Sequence, residues 1–346
     1  MSNPIHILLV MDPGLLVPPK GYGGIERIVD MIARAYQRKG HVVDLLVTKG
    51  SKVDGCTIYG YGEEGFPQTK FQQLKGTFYV WNFLRKNASK YDLIHNFGRL
   101  AYLIPVLNNR SRKIQTYQRE INPENIVKIN RFRNKHLHFT GCSANLISRT
   151  ARVGHWTAVH NCVEFDFYTL QKRIDEDAPF FFLGRIERVK GCHTAIAAAK
   201  ATGQKLVIAG NVSPLPEEME YFKTEIEPHV DGDQISYIGA VNDIQKNEWL
   251  GKSKALLFPI EWNEPFGIVM PEAMACGTPV IAFEHGSVNE VIDEAVTGFK
   301  CKRFEEFCNA MQRINNINRT ECRRVAKQRF DVNQIAAAYL AIGKPY

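Results

Sequence analysis

The sequence predicts an α/β protein built of two similar domains, each with a parallel sheet. Three observations carry this. At about 100–200 residues per domain, 346 residues suit two units that each bury a core. Short Leu-rich and β-branched runs alternate with amphipathic helical stretches in both halves, the order that parallel sheets require. The alternation stops in a polar, charged and unpatterned stretch, residues 165–179, and then restarts.

Taken in order, residues 5–10 form a strand run, followed by a loop rich in Gly and Pro over 12–24. An amphipathic helix over 25–39 is closed by Gly40, and a second apolar run covers 42–47. Further strands are expected over 93–95, 113–116 and 138–141. The second half predicts strands over 180–183, 206–209, 235–238, 255–259 and 279–283. The helices between them cover 193–201, 217–227 and 244–250, with a short one ending at Gly277. Residues 305–342 are helical in pattern and long enough to pack back across the first domain. The expected division is a first domain over 1–164, a linker over 165–178, a second domain over 179–330 and a C-terminal helix over 331–346.

A hydrophobic content of 45 % with 23 % charged residues excludes disorder, collagen-like repeats and coiled coil. No apolar run approaches the roughly 18 residues of a membrane span. Met1-Ser2-Asn3-Pro4 has neither a charged segment nor a cleavage site, so no signal peptide is expected. The 8 cysteines form no Cys-x-x-Cys pair, which argues against zinc or a disulfide framework and fits a reducing cytoplasm. The net charge of +8 is unevenly placed: residues 1–164 hold 23 basic and 11 acidic residues, the remainder 21 and 25. Between Arg110 and Arg152 only Glu120 and Glu124 oppose ten basic residues. This asymmetry suggests an anionic partner for the first half, whether a phosphate-rich acceptor, an anionic membrane or nucleic acid. A solvated basic face is the competing reading.

The most informative stretch runs from Glu264 through Pro265, Phe266, Gly267, Ile268, Val269, Met270, Pro271 and Glu272 to Gly277. A loop ending in Glu264 leads into a helix marked at its start by prolines and at its end by glycine. Pro271 lacks an amide hydrogen and suits a first turn. Amides of residues 266–270 then face outward, where anions are well received, and the two carboxylates suit sugar or ribose hydroxyls. Eight helical residues would separate them by roughly 12 Å. A retaining glycosidase pair needs roughly 5–5.5 Å. Two separate hydroxyl acceptors is the better reading; a helix-capping glutamate beside a surface glutamate is the plain structural alternative.

Arg185 and Lys190 lie in residues 184–191, directly after the strand over 180–183, where open α/β sheets bind ligands. Two fixed cations there could neutralise a diphosphate without a metal, although a solvated basic loop shows the same residues. Gly21-Tyr22-Gly23-Gly24-Ile25-Glu26 begins like a dinucleotide fingerprint, but Glu26 stands in place of the third glycine. Asp44 falls inside a strand pattern, so a nicotinamide dehydrogenase is not expected; what remains is a glycine loop that lets amides approach an anion. Asp231-Gly232-Asp233 has the spacing of a metal-binding acidic pair but reads as a turn. His95, at a strand end, is either a ligand-facing group or a satisfied structural histidine.

Together these segments resemble the retaining glycosyltransferases of family 4, most strongly over residues 180–300 and also over 1–50. Residues 159–164 look like a diverged form of the motif that precedes the family's interdomain linker. The resemblance implies the GT-B fold, two facing Rossmann-like domains with an interdomain cleft. By it, Glu272 matches the residue holding the nucleotide ribose and Glu264 the one contacting the donor sugar. Amides of Phe266, Gly267, Ile268 and Val269 match contacts to sugar hydroxyls and phosphate. Arg185 and Lys190 match the diphosphate pair, Gly23 and Gly24 the glycine loop from the opposite domain, and Gly210 and Val241 positions near the base. One departure stands out. Where the family commonly has Thr-x-His, this chain has Thr116-Tyr117-Gln118, and Gln118 can bond a sugar hydroxyl but cannot titrate.

The resulting expectation is a cytoplasmic glycosyltransferase, retaining and metal-free, with no cofactor beyond a nucleotide-diphosphate sugar, UDP being the family's commonest base. Its acceptor would be a glycan, a lipid-linked molecule or a small molecule, with peripheral contact to an anionic membrane through the basic half. Another nucleotide-sugar enzyme, or a sugar phosphorylase of the same fold, is the near alternative. A basic nucleic-acid-binding protein is the distant one, and it lacks a basic stripe interleaved with aromatics.

Overall fold

The computed structural model describes residues 3–21, 23–65, 67–132, 134, 136–150 and 153–343. The chain divides into two compact units, Met1–Cys162 with Val332–Tyr346, and Val163–Asp331.

The first unit contains β1 (His6–Val10), α1 (Gly24–Arg38), β2 (Val42–Thr48), β3 (Thr57–Tyr61), α2 (Lys70–Asn87) and β4 (Leu93–Asn96). It continues with β5 (Arg112–Tyr117), α3 (Pro123–Asn130), β6 (Leu137–Gly141), α4 (Ala144–Ser148) and β7 (Trp156–Ala158). Its 7-stranded sheet has the order β3-β2-β1-β4-β5-β6-β7, and every pairing is parallel. The central strands β1 and β4 are almost wholly buried, as strands covered on both faces must be. α1 turns Ile28, Val29, Ile32, Ala33 and Tyr36 inward, an apolar stripe at helical spacing. Asp44 is not a ligand-facing carboxylate: within β2 it accepts hydrogen bonds from Tyr91 Oη (2.9 Å) and pairs with His6 Nε2 (3.0 Å).

The second unit contains β8 (Phe180–Leu183), α5 (Cys192–Thr202), β9 (Leu206–Ala209), α6 (Pro216–Tyr221), β10 (Ile235–Tyr237) and α7 (Asp243–Lys252). There follow β11 (Leu256–Phe258), α8 (Val269–Ala275), β12 (Val280–Phe283), α9 (Val288–Val291), β13 (Gly298–Cys301), α10 (Phe304–Arg313) and α11 (Arg319–Phe330). Its 6-stranded parallel sheet has the order β10-β9-β8-β11-β12-β13. Chain order reverses between β8 and β11, so the loops that follow these two strands leave the same sheet edge in opposite directions and open a crevice there.

The last helix, α12 (Val332–Ala341), belongs to the first unit and packs against α1. Arg112 Nη1 donates to the carbonyls of Leu340 (3.1 Å) and Ile342 (2.8 Å), and the Tyr339 ring lies 4.5 Å from that of His95.

Residues 165–178, expected as a linker from their polar composition, are instead part of the second unit. Phe165, Tyr168 and Ala178 are buried, and Arg323 donates to the carbonyls of Phe165 and Tyr168 at 2.8 Å each. Two aromatic anchors three residues apart outweigh the polar average of the stretch. No helix among the described residues is long and apolar enough to cross a membrane.

Candidate functional site

The second unit's site is built at the β8/β11 crevice. The β8 loop reaches Lys190 at the end of a single turn, Arg188–Lys190, followed by Gly191 at φ 73°. A Cβ at position 191 would stand 1.9 Å from the Pro259 carbonyl oxygen, so glycine alone allows the two loops to approach. The Glu261 amide donates to the Val189 carbonyl at 2.9 Å and ties them together. This clamp places Lys190 Nζ 2.5 Å from Glu264 Oε2. Trp262 Nε1 donates to the same oxygen at 3.0 Å, and the Lys190 ammonium lies 5.1 Å from the Trp262 ring centre. The backbone of Glu264 is held from the other side by Ser287, whose amide donates to its carbonyl at 3.1 Å. An ammonium has three donors, so Lys190 can grip Glu264 and still present hydrogens to a phosphate oxygen.

Glu272 is buried in α8. Its Oε1 accepts from Tyr168 Oη at 2.8 Å and Lys246 Nζ at 2.6 Å, and both of these bonds fall on that one oxygen. Burial, reinforced by the Glu272 charge, pushes the Tyr168 phenol well above its ordinary range, so it stays a donor. Lys246, Tyr168 and Trp262 escaped the sequence reading. Trp262 sits two residues before Glu264 and could have been noticed; Lys246 and Tyr168 meet Glu272 only through the fold.

Arg185 pairs through Nε with Glu187 at 3.0 Å. Both cations expected to await a diphosphate therefore already carry a carboxylate, because clustered charges at a sheet edge are neutralised by neighbours. The expectation of eight helical residues between Glu264 and Glu272 is also corrected. α8 begins only at Val269, with Ile268 as its N-cap, since Gly267 at φ 71° breaks the helical path. The Met270 amide is not outward-facing: it donates to the Gly267 carbonyl at 3.0 Å. Phe266 is buried with its ring 5.9 Å from Phe330. Gly210 follows β9, its amide donating to Gly239 and its carbonyl accepting from Tyr237 Oη, both at 2.8 Å. Val241 is half-buried in the loop before α7.

In the first unit, Gly23 and Gly24 open α1, with Gly23 as N-cap. Glu26 in its first turn is buried, and desolvation raises its carboxyl above the usual range, with Arg119 opposing the shift. Gln118 lies just past β5, and its side-chain nitrogen is buried without a hydrogen-bond partner, a donor suited to a hydroxyl. Beside it, at the carboxyl ends of the first unit's strands, Asp12 bridges Arg119 (3.4 Å) and Arg99 (3.7 Å). His95 is a structural residue. It is wholly buried between Tyr36 Oη (3.0 Å) and Thr116 Oγ1 (2.8 Å), and burial pushes its ring down to about 3. Asp231 caps its own turn, accepting from the Asp233 and Ile235 amides at 2.9 Å each, which accounts for the Asp-Gly-Asp spacing. Among the described residues no group of three or more His, Cys, Asp or Glu side chains could hold a metal ion.

Comparison with known proteins gives a consistent result. Residues 167–329 match the family model for Glycosyl transferases group 1. A phosphatidyl-myo-inositol mannosyltransferase of Propionibacterium freudenreichii subsp. shermanii is 39 % identical over 66 residues, 18 % of this chain and 17 % of that protein. The chain spans 17 to 54 % of the length of such curated relatives. The crystal structure of AviGT4, a glycosyltransferase involved in avilamycin A biosynthesis, superposes with a TM-score of 0.73 at 23 % identity, covering 98 % of this chain and 97 % of that one. Anabaena Alr3699/HepE in complex with UDP-glucose gives 0.71 at 19 % identity, covering 97 % and 99 %. The two parallel-sheet, Rossmann-like units are thus those of GT-B glycosyltransferase structures.

Proposed function

We propose, from the match of residues 167–329 to the family model for Glycosyl transferases group 1, that this protein transfers a sugar from a nucleotide-diphosphate sugar to an acceptor hydroxyl. The observation that carries the reading is the Lys190–Glu264 pair, fixed at 2.5 Å where the β8 and β11 loops are clamped at the sheet's switch point. The second unit holds the donor: Lys190 and Arg185 meet the diphosphate, Glu264 the sugar hydroxyls and Glu272 the ribose. Gly210 and Val241 flank the base, and backbone amides of residues 266–269 reach sugar and phosphate. The first unit presents the acceptor, with Gln118 offering a hydrogen bond to a sugar hydroxyl and Gly23 and Gly24 an approach for phosphate.

The chemical task is to stabilise charge on the departing diphosphate. The C1–O bond breaks and its electron pair stays with the phosphate oxygen. The acceptor oxygen then bonds to C1, and its proton passes to the leaving phosphate. Preorganised cations lower the energy of that charge. Such a front-face, phosphate-assisted route gives retention and needs no protein nucleophile, which suits a glutamine at position 118. A member of family 4, UDP as the base and metal-free action belong to this same reading. UDP-glucose is what the Anabaena structure holds. A cytoplasmic site of action fits eight cysteines none of which forms a disulfide among the described residues, and the charge of the first unit favours an acceptor at an anionic membrane surface.

The test combines ligand stabilisation with turnover. One of UDP, GDP or ADP should raise the melting temperature by mass action. Lys190→Ala and Glu272→Ala should each cut sugar transfer about hundredfold or more, in keeping with loss of a charge-stabilising group, while the fold is retained. Normal turnover in both variants would overturn the assignment. Release of sugar 1-phosphate would favour the phosphorylase. Steeply salt-dependent nucleic-acid binding without nucleotide-sugar affinity would favour the distant alternative.

A further inference from the structure

The outward face of α2 carries large apolar side chains that the first unit leaves uncovered: Phe71 is 75 % exposed, Leu74 55 % and Phe78 57 %. At 3.6 residues per turn, Phe71, Leu74, Lys75, Phe78, Asn82, Arg85 and Lys86 fall within an arc of about 120°. The opposite side is the packed one, with Gly76, Val80 and Leu84 buried, and Trp81, at the edge of the patch, donates to the Ala101 carbonyl at 2.8 Å. Trp81 also steadies the patch, meeting the Phe78 ring edge-on at 5.6 Å. The helix contains no Asp or Glu, and its start is fixed by a Thr69 capping box. In the turn before it, Glu63 and Glu64 are engaged by Lys49 (3.7 Å) and Lys20 (3.8 Å).

From this juxtaposition we infer that α2 is an interfacial membrane helix, which seats Phe71, Leu74 and Phe78 among the lipids of an anionic bilayer while Lys75, Arg85 and Lys86 meet the headgroups. An apolar face flanked by cations and free of acids is what such a surface selects. A second copy of the chain is a poorer occupant, because this face carries cations and no acid, so two copies meeting on it would bring like charges together without a compensating carboxylate from the helix. The inference specifies the membrane contact of the proposed function and moves it from residues 110–152 to α2. It is separable from sugar transfer, since vesicle binding needs no donor.

The test is co-sedimentation of the full chain with vesicles of phosphatidylcholine alone or mixed with phosphatidylserine. The chain should bind the mixed vesicles and lose affinity as salt rises. Phe71→Ser with Phe78→Ser should lower the partition coefficient at least about tenfold. Lys75→Gln with Lys86→Gln should lower it by a similar factor, on the anionic vesicles only. Melting temperature and nucleotide stabilisation should stay at the wild-type level in both variants, since the altered side chains are exposed. The inference is overturned if the unmodified chain ignores anionic vesicles, or if the Phe71/Phe78 variant binds them equally well. It is also overturned if that variant instead loses self-association seen in the wild type.

Discussion

Lys246→Met removes an ammonium that no sequence motif marks and keeps most of the side chain's volume. In the native protein Glu272 Oε1 receives Lys246 at 2.6 Å and Tyr168 at 2.8 Å, with both carboxylate and ammonium largely buried. A hydrogen bond to a charged group contributes about 1.5–3 kcal/mol, and stripping one partner from a fully buried pair costs about 3–5 kcal/mol. Tyr168 remains in the variant and neither partner is wholly sealed from water, so about 2 kcal/mol is the appropriate loss. Spent on stability, this lowers the melting temperature by about 4–8 °C for a unit of this size. Spent on a carboxylate no longer aimed at the ribose, it weakens nucleoside diphosphate binding about 10- to 50-fold, given about 1.4 kcal/mol per tenfold. Calorimetric titration of the variant beside Glu272→Ala separates the two. Lys246 is a positioning residue if Lys246→Met raises the donor KM with kcat little changed and Lys246→Arg recovers most of the affinity. Unchanged nucleotide affinity in a destabilised Lys246→Met would refute that role and leave the lysine a structural one.

Two further outcomes follow from buried groups. The His95 ring titrates near 3 in the folded protein and near its ordinary 6.5 when unfolded. The unfolded chain therefore binds more protons between those values, and the stability due to neutral His95 is complete above about 6.5 and lost as pH falls toward 3. His95→Asn should flatten the fall in melting temperature between neutral and mildly acidic pH, whatever its effect at neutral pH; an unaltered slope would contradict this. Gly191→Ala places a methyl group 1.9 Å from the Pro259 carbonyl at a left-handed φ. The left-handed φ alone should cost about 1–3 kcal/mol, and the overlap should in addition push the two loops apart and shift Lys190 enough to weaken nucleotide binding; a variant with native stability and affinity would show that the clamp is unnecessary.

The parts of the fold legible in the sequence were those whose local pattern and burial agree. β8 and β9 read to the residue because Phe180–Leu183 and Leu206–Ala209 are continuous apolar runs, as strands covered on both faces must be. β3 and β13 escaped notice because they lie at sheet edges and their runs, Thr57–Tyr61 and Gly298–Cys301, are interrupted by glycine and polar residues. α2 was hidden because it is apolar on two sides, which erases the single stripe that periodicity detects. For the site, position along the sheet edge was readable, since Lys190 and Glu264 each follow a recognisable strand. Which groups neutralise which charges was not. Tyr168 and Glu272 are 104 residues apart, and their meeting depends on how residues 165–178 pack, the stretch whose composition suggested a linker.

The most direct measurement is a crystal structure of the protein grown with the nucleoside diphosphate that stabilises it best. The account predicts the diphosphate against Lys190 and Arg185 at the β8/β11 crevice, with the ribose hydroxyls on Glu272. A nucleotide bound elsewhere, or bound there with its ribose turned away from Glu272, would contradict it.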